Sequence, residues 1–240
     1  MTSTVPAVHP AALPAILLAV QGFDLGRIVD VLDAEADRGG LDVVVDEVVF
    51  PALRTVGTYW AHGSFSVTHE HLFTAAATRW LYARLSGQRL PEPTSHQGRR
   101  PIVLAAGPED LHVIGLDCLE LLLAARGVTV CNLGALVPTE ALVATARGID
   151  AAAAVVCSHA DPTAASATSA TASLHAAHAA GLAVYYAGSS FDSPFVQRRI
   201  PGLALSHSVA DSAELLARLV AGPLSDNRAG VLTHRRRTAG

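Results

Sequence analysis

The sequence predicts an α/β fold in which an N-terminal four-helix bundle caps a Rossmann-like, flavodoxin-like domain built on a parallel sheet. Three observations support this prediction. Residues 9–88 space their apolar positions as helices do, whereas the second half alternates short apolar runs with helical stretches. Between them, residues 91–100 are polar and proline-rich, as linkers are. We therefore expect a cap over 1–90, this linker, a Rossmann-like domain over 101–222 and a flexible tail over 223–240.

The composition restricts the classes of function. Half of the 240 residues are hydrophobic and 16% are charged, which is enough apolar surface for a sizeable core. No apolar run of about 20 residues is present, so we do not expect a membrane span. The net charge of −4 provides no basic field to attract nucleic acid. Three dispersed cysteines indicate reduced thiols and a cytoplasmic protein rather than a disulfide framework.

Local signals predict the first two helices of the cap. A short segment near Pro10–Val20 forms the first helix. Asp24 is a suitable N-cap for a second helix that runs to about Arg38. The pair Gly39-Gly40 should end that helix, because glycine is favoured just after a helix C-terminus.

Spacing and capping also predict the third and fourth helices. Over residues 42–60 the apolar side chains recur at spacings of three and four, which is typical of one helical face. Pro51 falls inside this segment and should kink or locally open it. Ser66 is a suitable N-cap for the fourth helix, which runs to about Leu85 and carries Glu70 near its first turn.

The second half of the chain has the rhythm of a parallel sheet. Buried strands are predicted at 101–106, 128–133, 151–157 and 182–187, with a fifth at Leu203–Leu205. Helices are predicted between and after them, near 113–126, 139–147, 163–180 and 209–221. This alternation implies helices on both faces of the sheet and a ligand at the carboxyl ends of its strands.

The loop after the first strand carries the spacing Asp110-x-His112-x-x-Gly115. Neither GxGxxG nor a GKS/T phosphate loop is present, which disfavours a dinucleotide. Asp110 could accept the Nδ1–H of His112, and this would fix the tautomer and raise the basicity of Nε2, as a metal-binding histidine requires. Gly115 would let a long group pass close to the backbone. Taken alone, the triplet also fits a histidine that caps the next helix.

Small or turn-forming residues follow the later strands. They are Leu133-Gly134 and Val137-Pro138 after the second strand, Ser158 after the third and Gly188-Ser189 after the fourth. Since these positions lie at the carboxyl ends of successive strands, they would leave room for a buried ligand tail.

The D-x-H-x-x-G motif, the serine after strand three and the glycine turn after strand four resemble the cobalamin-binding domain family. The resemblance covers about residues 9–221. It implies that His112 replaces the cofactor's own base as the lower axial ligand of cobalt, with Asp110 as its partner. It also implies that Ser158 faces the displaced base and that Gly188 lines the channel for the nucleotide tail.

Three further residues complete the cofactor contacts predicted in this domain: Gly115, Leu133 and Ser189. The sequence departs from the family pattern at two places. Ser189 stands where the family usually has the second glycine of a pair, and His159-Ala160 follow the serine where leucine or threonine is common. Neither departure removes the expected cobalt ligand.

The stretch WAHGSFSVTHEH, residues 60–71, concentrates a tryptophan, a glutamate and three histidines. One interpretation is a zinc site, but His69 and His71 would lie about 200° apart around a helix and lack the spacing of HExxH. A second interpretation is that Trp60 lies in the core of the bundle and the polar residues are exposed. A third is that this end of the bundle covers the upper face of a corrin at the edge of the sheet.

The W-x9-E-H spacing is similar to that of photoreceptors that sense light through adenosylcobalamin. This resemblance implies that Trp60 packs over the adenosyl group and that Glu70 and His71 contact it or its surroundings. Methyl-carrying corrinoid proteins generally lack the triad. Ala61 stands where the photoreceptors have a histidine that can bind cobalt after the adenosyl group leaves, and His62 follows one position later.

These resemblances imply a cobalamin-binding sensor rather than an enzyme. The expected cofactor is adenosylcobalamin, with methylcobalamin and hydroxocobalamin as alternatives, and the expected output is transcription regulation through a partner transcription regulator or a homo-oligomer. Only a short stretch precedes the first helix, so direct nucleic-acid binding is not expected. Two competing interpretations are a corrinoid methyl carrier of a methyltransferase system, which is an enzyme component, and a passive cobalamin carrier.

Overall fold

The described part of the chain comprises residue 9 and residues 11–87, 100–159 and 165–221 of a computed structural model. The predicted tail at 223–240, and all of the predicted linker except Arg100, lie outside the described residues. Within the described ranges, no helix combines the length and the apolar character that a bilayer crossing requires.

The cap contains the four helices that the sequence predicts. They are α1 (Ala12–Gln21), α2 (Leu25–Val44), α3 (Phe50–Ala61) and α4 (Val67–Ser86). The Asp24 side chain accepts a hydrogen bond from the Arg27 amide at 2.9 Å, so Asp24 caps α2 as predicted. The start of α4 after Ser66 and the position of Glu70 in its first turn also match the prediction.

The cap helices are interrupted near the glycine pair, by a kink, and near Pro51, by a π-helical turn. Gly40 leaves helical geometry, with φ 81° and ψ 174°, but the helix resumes after it, so the glycine pair kinks α2 instead of ending it. A π-helical turn, Val45–Val49, connects α2 to α3, and Pro51 lies in the first turn of α3. Because Pro51 has no amide hydrogen to donate to the preceding turn, the wider turn fits the local opening that the sequence predicts.

The second half forms a five-stranded parallel sheet. The strands are β1 (Ile102–Ala106), β2 (Val130–Asn132), β3 (Ala153–Cys157), β4 (Ala183–Ala187) and β5 (Leu203–Ala204). Their order is β2-β1-β3-β4-β5, and all neighbouring pairs are parallel. This is the flavodoxin-like order, so the predicted fold class is confirmed.

Helices cover both faces of the sheet. They are α5 (Ile114–Ala125), α6 (Thr139–Gly148), α7 (Ala165–Ala179), the short α8 (Pro194–Gln197) and α9 (Val209–Ala221). Helices α5 and α9 pack together on the face toward the cap, and α6 and α7 pack on the opposite face. Helix α8 and the 3₁₀ turn Ser189–Phe191 were not predicted, because such short elements carry no recognisable period.

One apolar core runs from the cap into the sheet domain. Phe73 and Trp80 of α4 belong to the same buried cluster as Leu116 of α5 and Leu104 of β1. At the start of α5, a Cβ placed on Gly115 would lie 3.8 Å from the Phe50 ring of α3. The cap and the sheet domain are therefore in direct contact beside the loop that follows β1.

Polar contacts join the two halves as well. The Asp46 carboxylate, in the π-helical turn, accepts hydrogen bonds from the Ser208 hydroxyl at 2.6 Å and the Val209 amide at 2.8 Å. Asp46 thus caps α9 from the cap domain. Arg126, just after α5, donates to both carboxylate oxygens of Asp42, at 3.0 and 2.7 Å. Such paired, charge-assisted hydrogen bonds fix geometry better than single ones do.

Candidate cofactor-binding site

The loop between β1 and α5 holds Asp110 and His112 in a fixed relation. The Asp110 carboxylate is buried, and its Oδ1 accepts hydrogen bonds from the His112 amide at 2.9 Å and from His112 Nδ1 at 2.8 Å. Its Oδ2 accepts a hydrogen bond from the His159 amide at 2.6 Å. The His112 side chain is 70% exposed, and its Nε2 has no hydrogen-bond partner among the described residues. The imidazole is therefore oriented through Nδ1 and leaves Nε2 free for a ligand.

The charge state of this loop suits metal binding. Burial raises the pKa of Asp110, but hydrogen bonds from the His112 and His159 amides and from the His112 ring outweigh it and lower the pKa overall. An ionised Asp110 keeps a proton on Nδ1 of His112 and the lone pair on Nε2. The His159 ring lies 5.7 Å from the His112 ring, centroid to centroid. Desolvation, followed by the nearby His112, lowers the pKa of His159.

The ends of β3 and β4 meet beside this loop at Ser158 and Gly188. Ser158 is fully buried, and its hydroxyl is hydrogen-bonded to that of Ser190 at 2.8 Å. Gly188 has a φ of 105°, and a Cβ there would lie 2.1 Å from the Ser158 carbonyl oxygen. No residue with a side chain fits at this position without a shift of the backbone. The predicted roles of Ser158 at the displaced base and of Gly188 in a tail channel stay predictions.

The other predicted cofactor contacts lie on neighbouring segments. The Ser189 hydroxyl donates to the His159 carbonyl at 3.3 Å. The Leu133 amide, just after β2, donates to the Leu104 carbonyl at 2.8 Å. Gly115 lies in the first turn of α5, next to Phe50 of the cap. Contact of Ser189, Leu133 and Gly115 with a cofactor stays a prediction.

Two of the three histidines in WAHGSFSVTHEH hold the ends of cap helices. His69 Nδ1 accepts hydrogen bonds from the Ser66 amide at 3.0 Å and the Ser66 hydroxyl at 2.8 Å, and its ring stacks on Phe65. His62 Nδ1 donates to the Thr58 carbonyl at 2.8 Å, at the C-terminus of α3. Their place in the sequence thus has a structural reason, the capping of α4 and α3.

Trp60, Glu70 and His71 of the stretch line a cleft of about 310 Å³ between the cap and the loop after β1. Its walls include Leu53, Val56 and Trp60 from α3, Glu70, His71 and Thr74 from α4, and His112 from the loop. Trp60 is 52% exposed, so the interpretation that places it in the bundle core is wrong; the core tryptophan is Trp80. The cleft brings together four residues that the sequence singled out in two distant motifs.

A second histidine–carboxylate pair lies in this cleft. His71 Nδ1 donates to Glu70 Oε2 at 2.5 Å, and the Thr74 hydroxyl donates to Glu70 Oε1 at 3.1 Å. Thr74 was missed by the sequence reasoning, although its position four residues after Glu70 places both on one face of α4. Leu53 and Val56 were recognised as helix-face residues, but nothing local distinguishes a cleft wall from a buried core.

The cleft offers a ligand for a transition metal beside an aromatic ring. His112 offers an imidazole nitrogen of fixed tautomer, which is a suitable ligand for such metals. Trp60, which lines the same cleft, offers an exposed aromatic ring. Ligands of parallel sheets of this order bind at the carboxyl ends of the strands, and the loop that carries His112 follows directly from β1.

Comparison with known proteins found a family and a relative with similar sequences. Residues 13–84 match the family described as the B12 binding domain. The HTH-type transcriptional repressor CarH of Myxococcus xanthus is 36% identical over 128 residues, which are 53% of this chain and 41% of the repressor. The chain therefore spans less than half of the length of that relative.

The fold also resembles a solved structure. The monomethylamine corrinoid protein of Methanosarcina barkeri superposes with a TM-score of 0.66 over 85% of this chain and 96% of that protein. The two sequences are only 13% identical, so the likeness concerns the fold: a helical cap on a parallel α/β domain.

Proposed function

We propose that the chain, of which residues 13–84 match the B12 binding domain family, is a cobalamin-binding light sensor that regulates transcription. The observation that carries this proposal is the shared cleft, which His112, Trp60, Glu70 and His71 all line. The chain is 36% identical over 128 residues to a transcriptional repressor, and this similarity favours regulation of transcription as its function. The signal would pass to a partner transcription regulator or to further copies of the chain, in the cytoplasm.

We assign the residues as follows. His112 would hold cobalt through Nε2, and buried Asp110 would keep its ring oriented. Trp60 would pack against the adenosyl group, and Glu70 and His71, which line the same cleft, would lie near it. The displaced base and nucleotide tail are assigned to residues at the strand ends and nearby: Gly115, Leu133, Ser158, Gly188 and Ser189.

Adenosylcobalamin supplies a cobalt–carbon bond that light can break, and the chain supplies a surface that responds to the loss of the adenosyl group. Trp60 is half exposed in the free chain and would become covered when the adenosyl group is bound. Loss of that group would expose Trp60 again and so change the free energy of the contact between α3, α4 and the loop of His112. A ligand shifts a conformational equilibrium only through such a difference between two states.

The competing function is that of a methyl carrier. A methyl group is far smaller than an adenosyl group and does not require a half-exposed tryptophan on the facing wall. The likeness to the monomethylamine corrinoid protein concerns the fold and fits either function. We therefore treat methyl transfer as the alternative outcome of the test.

The test uses the purified full chain loaded with adenosylcobalamin in the dark. Its absorption spectrum and size-exclusion profile are recorded before and after green light, with Trp60→Ala as the matched variant. The sensor proposal predicts a change in both measurements for the native chain and a smaller change in size for W60A. A photoproduct identical to that of the free cofactor, with no change in size, would contradict it. Methyl transfer from methylcobalamin to a thiol through a partner enzyme would identify a methyl carrier instead.

A further inference from the structure

The geometry points to His71 as a second cobalt ligand, which binds from the cap side when no adenosyl group holds the upper position. This inference rests on the proposed function, because it requires cobalt on His112. His71 is expected to contact the adenosyl group when that group is bound. The inference gives His71 a second role after the adenosyl group has left.

The first supporting observation is the placement of the two imidazoles. His71 projects from α4 of the cap, and His112 from the loop that follows β1 of the sheet domain. Both line the same cleft, which is enclosed by these two halves of the chain. A metal held by one of them from the sheet side would therefore be approached by the other from the cap side.

The second observation is that each of the two imidazoles is held by a carboxylate through its Nδ1. His112 Nδ1 donates to Asp110 at 2.8 Å, and His71 Nδ1 donates to Glu70 at 2.5 Å. Glu70 is itself held by the Thr74 hydroxyl at 3.1 Å. In both pairs Nε2 has no hydrogen-bond partner among the described residues. A carboxylate on Nδ1 is the usual partner of a histidine that ligates a metal through Nε2.

The other histidines at this end of the cap do not meet these conditions. His69 uses Nδ1 to accept the Ser66 hydrogen bonds, and its ring stacks between Phe65 and Phe23. His62 uses Nδ1 at the C-terminus of α3 and does not line the cleft. The residue after Trp60 is Ala61, which has no donor atom. Among these histidines of the cap, His71 is the one that both lines the cleft and has its Nε2 free to bind a metal.

The ligation step is a substitution without a change of oxidation state. Nε2 of His71 donates its lone pair to cobalt(III), the bond from cobalt to an exchangeable hydroxide breaks, and the hydroxide takes up a proton from solvent and leaves as water. His71 keeps its Nδ1 proton, which remains on the hydrogen bond to Glu70.

The experiment uses the full chain loaded with hydroxocobalamin, which needs no light. The visible absorption spectrum and the rate at which cyanide replaces the upper ligand are measured for the native chain, His71→Ala, Glu70→Gln and His62→Ala. We expect the native spectrum to differ from that of free hydroxocobalamin, and H71A to exchange cyanide much faster. E70Q should fall between them, because loss of a carboxylate partner weakens a histidine's metal affinity by about 10- to 100-fold. H62A is the matched control and should behave as the native chain.

The outcomes separate the two proposals. If all variants take up cobalamin and H71A has the native spectrum and exchange rate, His71 is not a ligand, while cobalamin binding stands. If the native chain and His112→Ala both fail to bind hydroxocobalamin, or bind it equally, the proposed site itself fails. Because the His71 side chain is 74% exposed, H71A should keep its fold, and far-ultraviolet circular dichroism checks this.

Discussion

At the scale of single residues, the account depends on how Asp110 orients His112. The buried carboxylate accepts hydrogen bonds from the ring and amide of His112 and from the His159 amide. We predict that Asp110→Asn weakens cobalamin binding by about 10- to 100-fold, because the ring loses its charged partner. Spectrophotometric titration measures this, with the exposed neighbour Glu109→Gln as the control. Equal affinities for D110N and the native chain would refute the assigned role.

A second residue-scale prediction concerns Asp117 of α5. Its side chain is buried, its Oδ2 has no hydrogen-bond partner in the described part of the chain, and burial, together with nearby Glu120, raises its pKa to about 6. The folded chain thus binds this proton more tightly than the unfolded chain, so the free energy of unfolding falls as the pH rises from about 4 to about 6. We predict that Asp117→Asn removes this fall and raises the free energy of unfolding at pH 7 by about 2 to 3 kcal/mol.

Urea unfolding at pH 4, 5, 6 and 7 checks the prediction for Asp117. Exposed Asp30→Asn serves as the control, since it changes the same charge without removing a buried one. A D117N curve parallel to that of the native chain at all four pH values would show that Asp117 does not titrate abnormally.

The sequence predicted the contact between Asp110 and His112, because the two residues lie two positions apart. Glu70 and His71 were singled out by a resemblance, and the hydrogen bond between them was not predicted. The sequence did not predict the buried Asp117, whose Oδ2 has no hydrogen-bond partner in the described part of the chain, because burial of a carboxylate is decided by tertiary packing. Nor did it show that His69 is a capping residue, since histidine is not among the usual capping types.

At the scale of elements, the N-terminus of α4 sets the position of Glu70 and His71. Ser66 and His69 form reciprocal contacts there, in the manner of a capping box. We predict that Ser66→Ala lowers the free energy of unfolding by about 1 kcal/mol, as loss of an N-cap does. Thermal unfolding tests this against exposed Thr68→Ala, and a loss no greater than that of T68A would contradict it.

The elements were predicted where local signals marked them. The cap helices follow from helical spacing and capping residues, the strands β1 to β4 follow from short apolar runs, and the short β5 coincides with its predicted segment. The predicted end of the second helix at Gly39-Gly40 became a kink, because the packing of the segment after it restores the helix. Helix α8 was missed, since four residues are too few to show a period.

At the scale of the whole molecule, the cap is joined to the sheet domain by polar contacts as well as by the shared core. Asp46 caps α9 through Ser208 and Val209, so the cap and the sheet domain share a helix terminus. We predict that Asp46→Ala lowers the free energy of unfolding by about 1 to 2 kcal/mol and increases amide hydrogen exchange at the start of α9. Exposed Asp30→Ala is the control. Unchanged exchange in α9 would show that this contact does not join the two halves.

The arrangement of the two halves explains why one cleft contains residues from distant motifs. The two motifs are distant in the sequence, and the packing of α4 on α5 helps to bring His112 and Trp60 to the same cleft. The central claim is that this histidine holds cobalt in place of the cofactor's own base.

Electron paramagnetic resonance of reduced, cobalt(II) cobalamin bound to the chain tests this claim most directly, with nitrogen-15 introduced only into the histidines. If His112 is the axial ligand, the splitting by the axial nitrogen changes from the triplet of ordinary nitrogen to a doublet. The measurement is made on His71→Ala, in which His71 cannot take an axial position, and the doublet should be lost when His112 is replaced by alanine as well. A triplet in the labelled His71→Ala chain would mean that the cofactor keeps its own base on cobalt, and would contradict the account.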